Sequence, residues 1–122
     1  MSALHDSLRT ALRQAMSARD AVAISALRSA LAALDNAEAV SLPASDKPTV
    51  ATHPTIAGST VGVGAAEVER RELSGDEERA LLQQEVDERL AAASQADLGG
   101  RPDRAVRLRA EAEVLVRHLP PA

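Results

Sequence analysis

Three histidines, a run of acids and a set of arginines are the groups in this 122-residue chain whose types suit chemistry. His5, His53 and His118 lie in three separate segments, without an i, i+4 histidine pair and with no cysteine anywhere in the chain. Zinc needs three or four convergent nitrogen, sulfur or carboxylate ligands, so the spacing predicts no metal site. Gly62-Val63-Gly64 has the opening of a dinucleotide loop, yet Glu67 stands where the third glycine belongs and no strand-like run precedes it. There is no Gly-x-Ser-x-Gly elbow and no phosphate-binding glycine loop. Glu85, Asp87 and Glu88 crowd one short stretch, a density that reads as a solvated helix surface, and no acid–base pair emerges from it. The expectation is a chain with no catalytic residues, no cofactor and no metal of its own.

The arginines are the remaining candidates. Residues 74–100 hold two Arg against seven acids, a net of −5, while residues 101–122 hold five Arg against three acids, a net of +2. Arg101, Arg104, Arg107 and Arg109, with Arg70 and Arg71 upstream, are therefore candidate phosphate contacts for RNA. The competing reading is that they are solvated faces, or complement the acidic stretch before them. An overall charge of −4 and the absence of Phe, Trp and Tyr count against a broad nucleic-acid surface.

These groups must be positioned by helices. Ser74 with Glu77 three residues on has the pattern of a capping box, Gly99-Gly100 that of a helix end, and Pro102 that of a first helical residue. Pro120-Pro121 then halts the last helix. Leu82, Val86, Leu90 and Ala93 form one apolar stripe, and Ala105, Leu108, Ala112, Leu115 and Leu119 another, so the pair should fold as an antiparallel hairpin. Upstream, Leu4, Leu8, Leu12, Ala15 and Met16 line a first helix. Ile24, Leu27, Leu31 and Leu34 line a second, capped by Asp20. Arg19-Asp20 leaves room for only a short connection, which suits either a tight hairpin or one bent rod.

Between them, Pro43, Pro48, Pro54, Gly58, Gly62 and Gly64 punctuate a stretch rich in Ser, Thr and Ala. It reads as a flexible linker, or as a loop that orders on a partner. The predicted organisation is all-α: a helical hairpin over 1–39, a Pro/Gly-rich linker over 40–64, and a second hairpin over 65–119. The two hairpins share one small bundle. A core without aromatics must rely on Leu, Val, Ile and Ala, each burying little area, so close helix approach has to compensate. No run nears the ~20 apolar residues of a membrane span, and no signal peptide is expected. With no cysteine to cross-link, the expected setting is the cytoplasm. Arg outnumbers Lys thirteen to one, the usage of a GC-rich genome.

Three blocks resemble the GatB/YqeY domain family, small bacterial proteins related to the tail of the B subunit of the tRNA-dependent amidotransferase. The first is Arg13-Gln-Ala-Met-Ser-Ala-Arg19-Asp20, followed by Leu27-Arg28 and, later, Asn36-Ala-Glu38. The second runs from Leu73-Ser74-x-x-Glu77 through Glu85-x-x-x-Arg89 to Gly100-Arg101-Pro102-Asp103. The third is Glu111-Ala-Glu113 leading to His118-Leu119-Pro120, where the family commonly has Tyr-Leu-Pro. Gly62-Val-Gly-Ala-Ala-Glu67 through Arg70-Arg71-Glu-Leu73 is similar to a subgroup from high-GC Gram-positive bacteria.

The resemblance implies an all-helical fold and an accessory role near tRNA. It also implies a label of carbon–nitrogen ligase with glutamine as amido-N-donor, although the chemistry of the amidotransferase belongs to its other domains and subunits. Two departures stand out: the linker is longer and richer in proline, and the chain ends at Ala122 where members continue into a smaller helical subdomain. The expected partners are tRNA, another protein, or a second copy in a homodimer. An interaction module and a tRNA-binding factor are the two leading readings, with an enzyme third.

Overall fold

The computed structural model describes residues 2–40 and 72–121. Among these there are four helices and no strand: α1 (Ala3–Ala18), α2 (Ala21–Val40), α3 (Gly75–Leu98) and α4 (Pro102–Val116). The fold is all-α, a small helical bundle as the periodicity predicts. The Pro/Gly-rich stretch read as a linker, together with His53, Arg70 and Arg71, lies outside the described residues apart from Val40, which closes α2. The chain divides into two units, Met1–Leu34 with Ser74–Ala122, and Asp35–Leu73. The described part of the second is the end of α2 and the non-helical pair Glu72-Leu73. None of the described helices is long and apolar enough to cross a membrane.

Local chemistry sets every boundary of the first unit. Ser2 caps α1, its hydroxyl accepting the His5 amide at 3.0 Å. At the other end Arg19 turns left-handed (φ 59°), its N–H reaching the Met16 carbonyl and that of Asp20 the Ala15 carbonyl. That two-bond closure normally uses glycine. The Asp20 carboxylate then accepts the Ala23 amide at 3.1 Å, which starts α2. Ser74 and Glu77 form the complete capping box of α3, with reciprocal bonds of 3.1 and 2.8 Å. α3 closes as α1 does, Gly100 taking the left-handed position while Gly99 stays at φ −85°. Pro102 begins α4.

One boundary falls short of the sequence expectation. α4 ends at Val116, and Leu119 lies beyond it in a tighter turn closed by His118 N–H to Leu115 and Leu119 N–H to Val116. Proline disfavours the helical conformation of the residue before it, so the chain has to leave the helix ahead of Pro120. The Pro120 carbonyl accepts the Arg79 guanidinium at 3.0 Å, fastening the tail to α3.

The left-handed Arg19 ends α1 and Asp20 caps α2 directly after it, so the two are separate helices and not one straight rod. Both reach the same neighbour: His5 lies 3.8 Å from Glu78, and Ser29 lies 3.0 Å from Glu85.

Among the described residues, eight of the fifteen buried apolar ones are alanines, which lets helices meet at close range through many small contacts. Leu8, Leu27, Leu34, Leu82, Leu115 and His5 are the largest side chains fully enclosed among the described residues. Beside the turn between α3 and α4, Ala93, Ala96 and Ala105 pack together, with Leu108 against them. The stripe of α2 differs from the expected one: Ala23, Ala26, Leu27, Ala30 and Leu34 face the core, and Ile24 and Leu31 sit at its margin. Met16 and Leu90, expected inside, are half exposed.

Candidate functional site

The acid-rich α3 and the arginine-rich α4 place most of the candidate groups on one hairpin. Their complementary charge is realised as specific pairs. Arg89 is the centre, its side chain only 12% exposed. Its Nη1 donates to the Glu85 carboxylate at 2.9 Å and to the Glu85 carbonyl at 3.1 Å, while its Nε donates to Glu111 at 3.1 Å. The other Glu111 oxygen accepts from Arg107 at 3.2 Å, and Glu85 also accepts the Ser29 hydroxyl at 3.0 Å. This chain of bonds links α2, α3 and α4 through a half-buried polar layer. Both carboxylates are held by cations, and Glu85 by a hydroxyl as well, so it reads as a structural network rather than a poised acid or base.

The candidate RNA contacts fall into three groups. Arg107 pairs with Glu111, and Arg109 pairs with Asp97 at 2.6 Å on the surface. Arg101, at the N-cap of α4, and Arg104, in its first turn, are exposed and outside every ion pair among the described residues. Arg70 and Arg71 are not described. The expected solvated cluster also splits: Asp87 and Glu88 are exposed and bonded to Gln83 and Gln84 one turn back, whereas Glu85 turns inward to Arg89.

Two histidines mark the end of the bundle where α1 and α3 begin and α4 ends. His5 is buried, with Nδ1 3.4 Å from Ser2 Oγ and 3.8 Å from the buried Glu78, an ion pair only when the ring is protonated. His118 Nδ1 lies 3.0 Å from the exposed Ser7 hydroxyl. Burial, and then the neighbouring Arg117 charge, push the His118 pKa below its ordinary value of 6.5. A hydroxyl beside an imidazole is half of a nucleophile–base arrangement, but no carboxylate orients the His118 ring among the described residues. Neither Glu78 nor Ser29 is marked out in the sequence, because their partners lie on other helices. No family model, curated protein or solved structure matches the chain.

Proposed function

We propose that this chain is a non-catalytic helical module, YqeY-like in kind, that acts in the cytoplasm by associating with another protein chain. The observation that carries this reading is the apolar surface of the α3–α4 hairpin: Leu90, Leu98, Val106 and Val116 stand exposed there. Large apolar side chains left exposed on one hairpin are what a partner chain would cover. The internal pairing of Arg107 and Arg109 supports the same reading, since cations committed to carboxylates of their own hairpin are less available to phosphates. A label of glutamine-dependent carbon–nitrogen ligase would come from the family resemblance; no catalytic role is assigned to any residue here.

A tRNA-binding role is the second reading, favoured by Arg101 and Arg104, which are exposed at the start of α4 and outside every ion pair among the described residues. The two separate by salt. Binding of purified protein to total tRNA, followed across a salt series with light scattering on the RNA-free protein, distinguishes them. A protein assembly that depends on salt far less steeply than phosphate contacts do, with no tRNA affinity, is the expected result. Micromolar tRNA binding that falls steeply with salt, and weakens in Arg101→Ala and Arg104→Ala, overturns it. Turnover of glutamine or aminoacyl-tRNA by the chain alone would overturn both readings.

A further inference from the structure

α4 carries two apolar-bearing stripes. One, Ala105, Leu108, Ala112 and Leu115, turns to the bundle and has the 3-4-3 spacing of a coiled-coil seam. The other is the same pattern displaced by one residue: Val106, Arg109, Glu113 and Val116, again spaced three, four and three. These four lie within ~80° of one another around the helix. Val106 is 66% and Val116 48% exposed, and Arg109 and Glu113 are exposed between them. On α3, Asp97 is salt-bridged to Arg109, and Leu90, seven residues earlier and so on the same face of α3, is half exposed along the same edge.

The order of residue types in the outer stripe is self-complementary. Residue 111 is the midpoint both of Val106 and Val116 and of Arg109 and Glu113. An antiparallel two-fold pairing centred there sets Val106 against Val116 of the second copy, and Arg109 against Glu113 of the second copy. Each contact occurs twice, as an isologous interface requires. Parallel pairing would instead place Arg109 on Arg109 and Glu113 on Glu113. From this charge and apolar complementarity we infer that the exposed stripe of α4 is a homodimer seam, occupied by α4 of a second copy in antiparallel orientation. This deepens the protein-association reading, on which it rests, by naming the partner. The guanidinium of Arg109 has donors to spare, so it can keep Asp97 and take Glu113 of the second copy together. A fifteen-residue helix offers a seam of only ~22 Å, below the size of a permanent interface, so the dimer is weak and reversible.

Sedimentation equilibrium of the full chain from ~10 µM to ~1 mM tests this, the range expected for a small interface. The wild type is expected to associate reversibly to a dimer. Arg109→Glu alone sets carboxylate against carboxylate at both copies of the polar contact, and Glu113→Arg alone sets guanidinium against guanidinium. Each should weaken association at least tenfold, with helicity by circular dichroism unchanged. An equimolar mixture of the two single variants pairs one all-acidic stripe with one all-basic stripe and should restore wild-type association, which a folding defect cannot do. A monomeric wild type, a dimer indifferent to either reversal, or dissociation without rescue on mixing would each overturn the seam. Monomer without tRNA binding sinks the seam alone, whereas monomer with salt-sensitive tRNA binding sinks the protein-association reading as well.

Discussion

Replacing Arg89 tests most directly how the hairpin is held. The side chain bonds Glu85 on its own helix and Glu111 on α4, and Glu85 in turn takes Ser29 from α2. Breaking a buried pair by removing one partner costs about 3–5 kcal/mol, mostly as the desolvation of the charge left behind. Arg89→Met strands two carboxylates. Glu111 keeps the half-exposed Arg107 and Glu85 keeps a neutral hydroxyl, so compensation is partial and a loss of about 3 kcal/mol is expected. Glu111→Leu leaves Arg89 with the Glu85 carboxylate and carbonyl and releases Arg107, which is half exposed and can be hydrated, so about 2 kcal/mol is expected.

The double variant removes both charges that face each other, and its cost should fall short of the sum by about 1–2 kcal/mol. Urea denaturation followed by far-ultraviolet circular dichroism measures all three against wild type, with linear extrapolation. Additivity within ~0.5 kcal/mol would refute the reasoning, because it would mean that Arg89 and Glu111 do not sense each other across the helices. So would a loss larger for Glu111→Leu than for Arg89→Met.

The helix caps predict opposite signs at adjacent glycines. Gly100→Ala, at φ 75°, should cost about 1–2 kcal/mol, whereas Gly99→Ala, at φ −85° with its new methyl 3.4 Å from the Gln95 carbonyl, should be neutral or gain up to ~1 kcal/mol. Arg19→Gly should stabilise by up to ~1 kcal/mol at the same left-handed position of α1, and equal urea midpoints for all three variants would sink the cap assignments. His118, held below 6.5 by burial and then by Arg117, stays neutral more readily folded than unfolded. Its contribution to stability is therefore complete above pH 6.5 and is lost as pH falls through the lower folded value; His118→Gln should flatten that part of the urea midpoint against pH, and an unchanged slope would count against it. Asp97→Asn removes an exposed ion pair and should change stability by less than ~1 kcal/mol, yet it frees the Arg109 side chain and should weaken self-association by roughly twofold to tenfold. Unaltered sedimentation of this variant would show that Asp97 does not pre-position Arg109.

What the sequence discloses here is what neighbouring residues decide among themselves. Ser74 with Glu77, Asp20, Gly100 and Pro102 all act within one turn of chain, and each does in the structure what its type predicts. The buried face of α2 was harder to read because hydrophobicity ranks Ile24 and Leu31 above Ala23, Ala26 and Ala30. Close helix approach reverses that order, since a methyl fits where a branched side chain would hold the helices apart. The apolar stripe of α4 runs on to Leu119, past the helix end at Val116, because the constraint that stops the helix acts backward from Pro120. Glu85 stands four residues before Arg89, a pair that the sequence shows, but the cross-helix partners, Glu111 of Arg89 and Asp97 of Arg109, are beyond its reach: complementary net charge says that two helices suit each other, and only their register says which acid meets which arginine.

The register changes what the arginines of α4 mean. Arg101, Arg104, Arg107 and Arg109 lie close together along the sequence; in the fold they do three different things. Arg107 closes a half-buried network through Glu111, and Arg109 is tied to Asp97 within the exposed stripe that Val106 and Val116 bound. Arg101 and Arg104 stand exposed at the helix start, outside the ion pairs of the described residues. An exposed pair such as Asp97–Arg109 adds at most about 1 kcal/mol to stability, too little to be what holds the hairpin together. It does restrict the rotamers of a long side chain before any partner arrives, and immobilising such a side chain on binding otherwise costs roughly 0.5–1.5 kcal/mol. A guanidinium held in place between Val106 and Val116, one helical turn from Glu113, is thus better suited to meeting a carboxylate on an opposing helix than to following a flexible phosphate backbone.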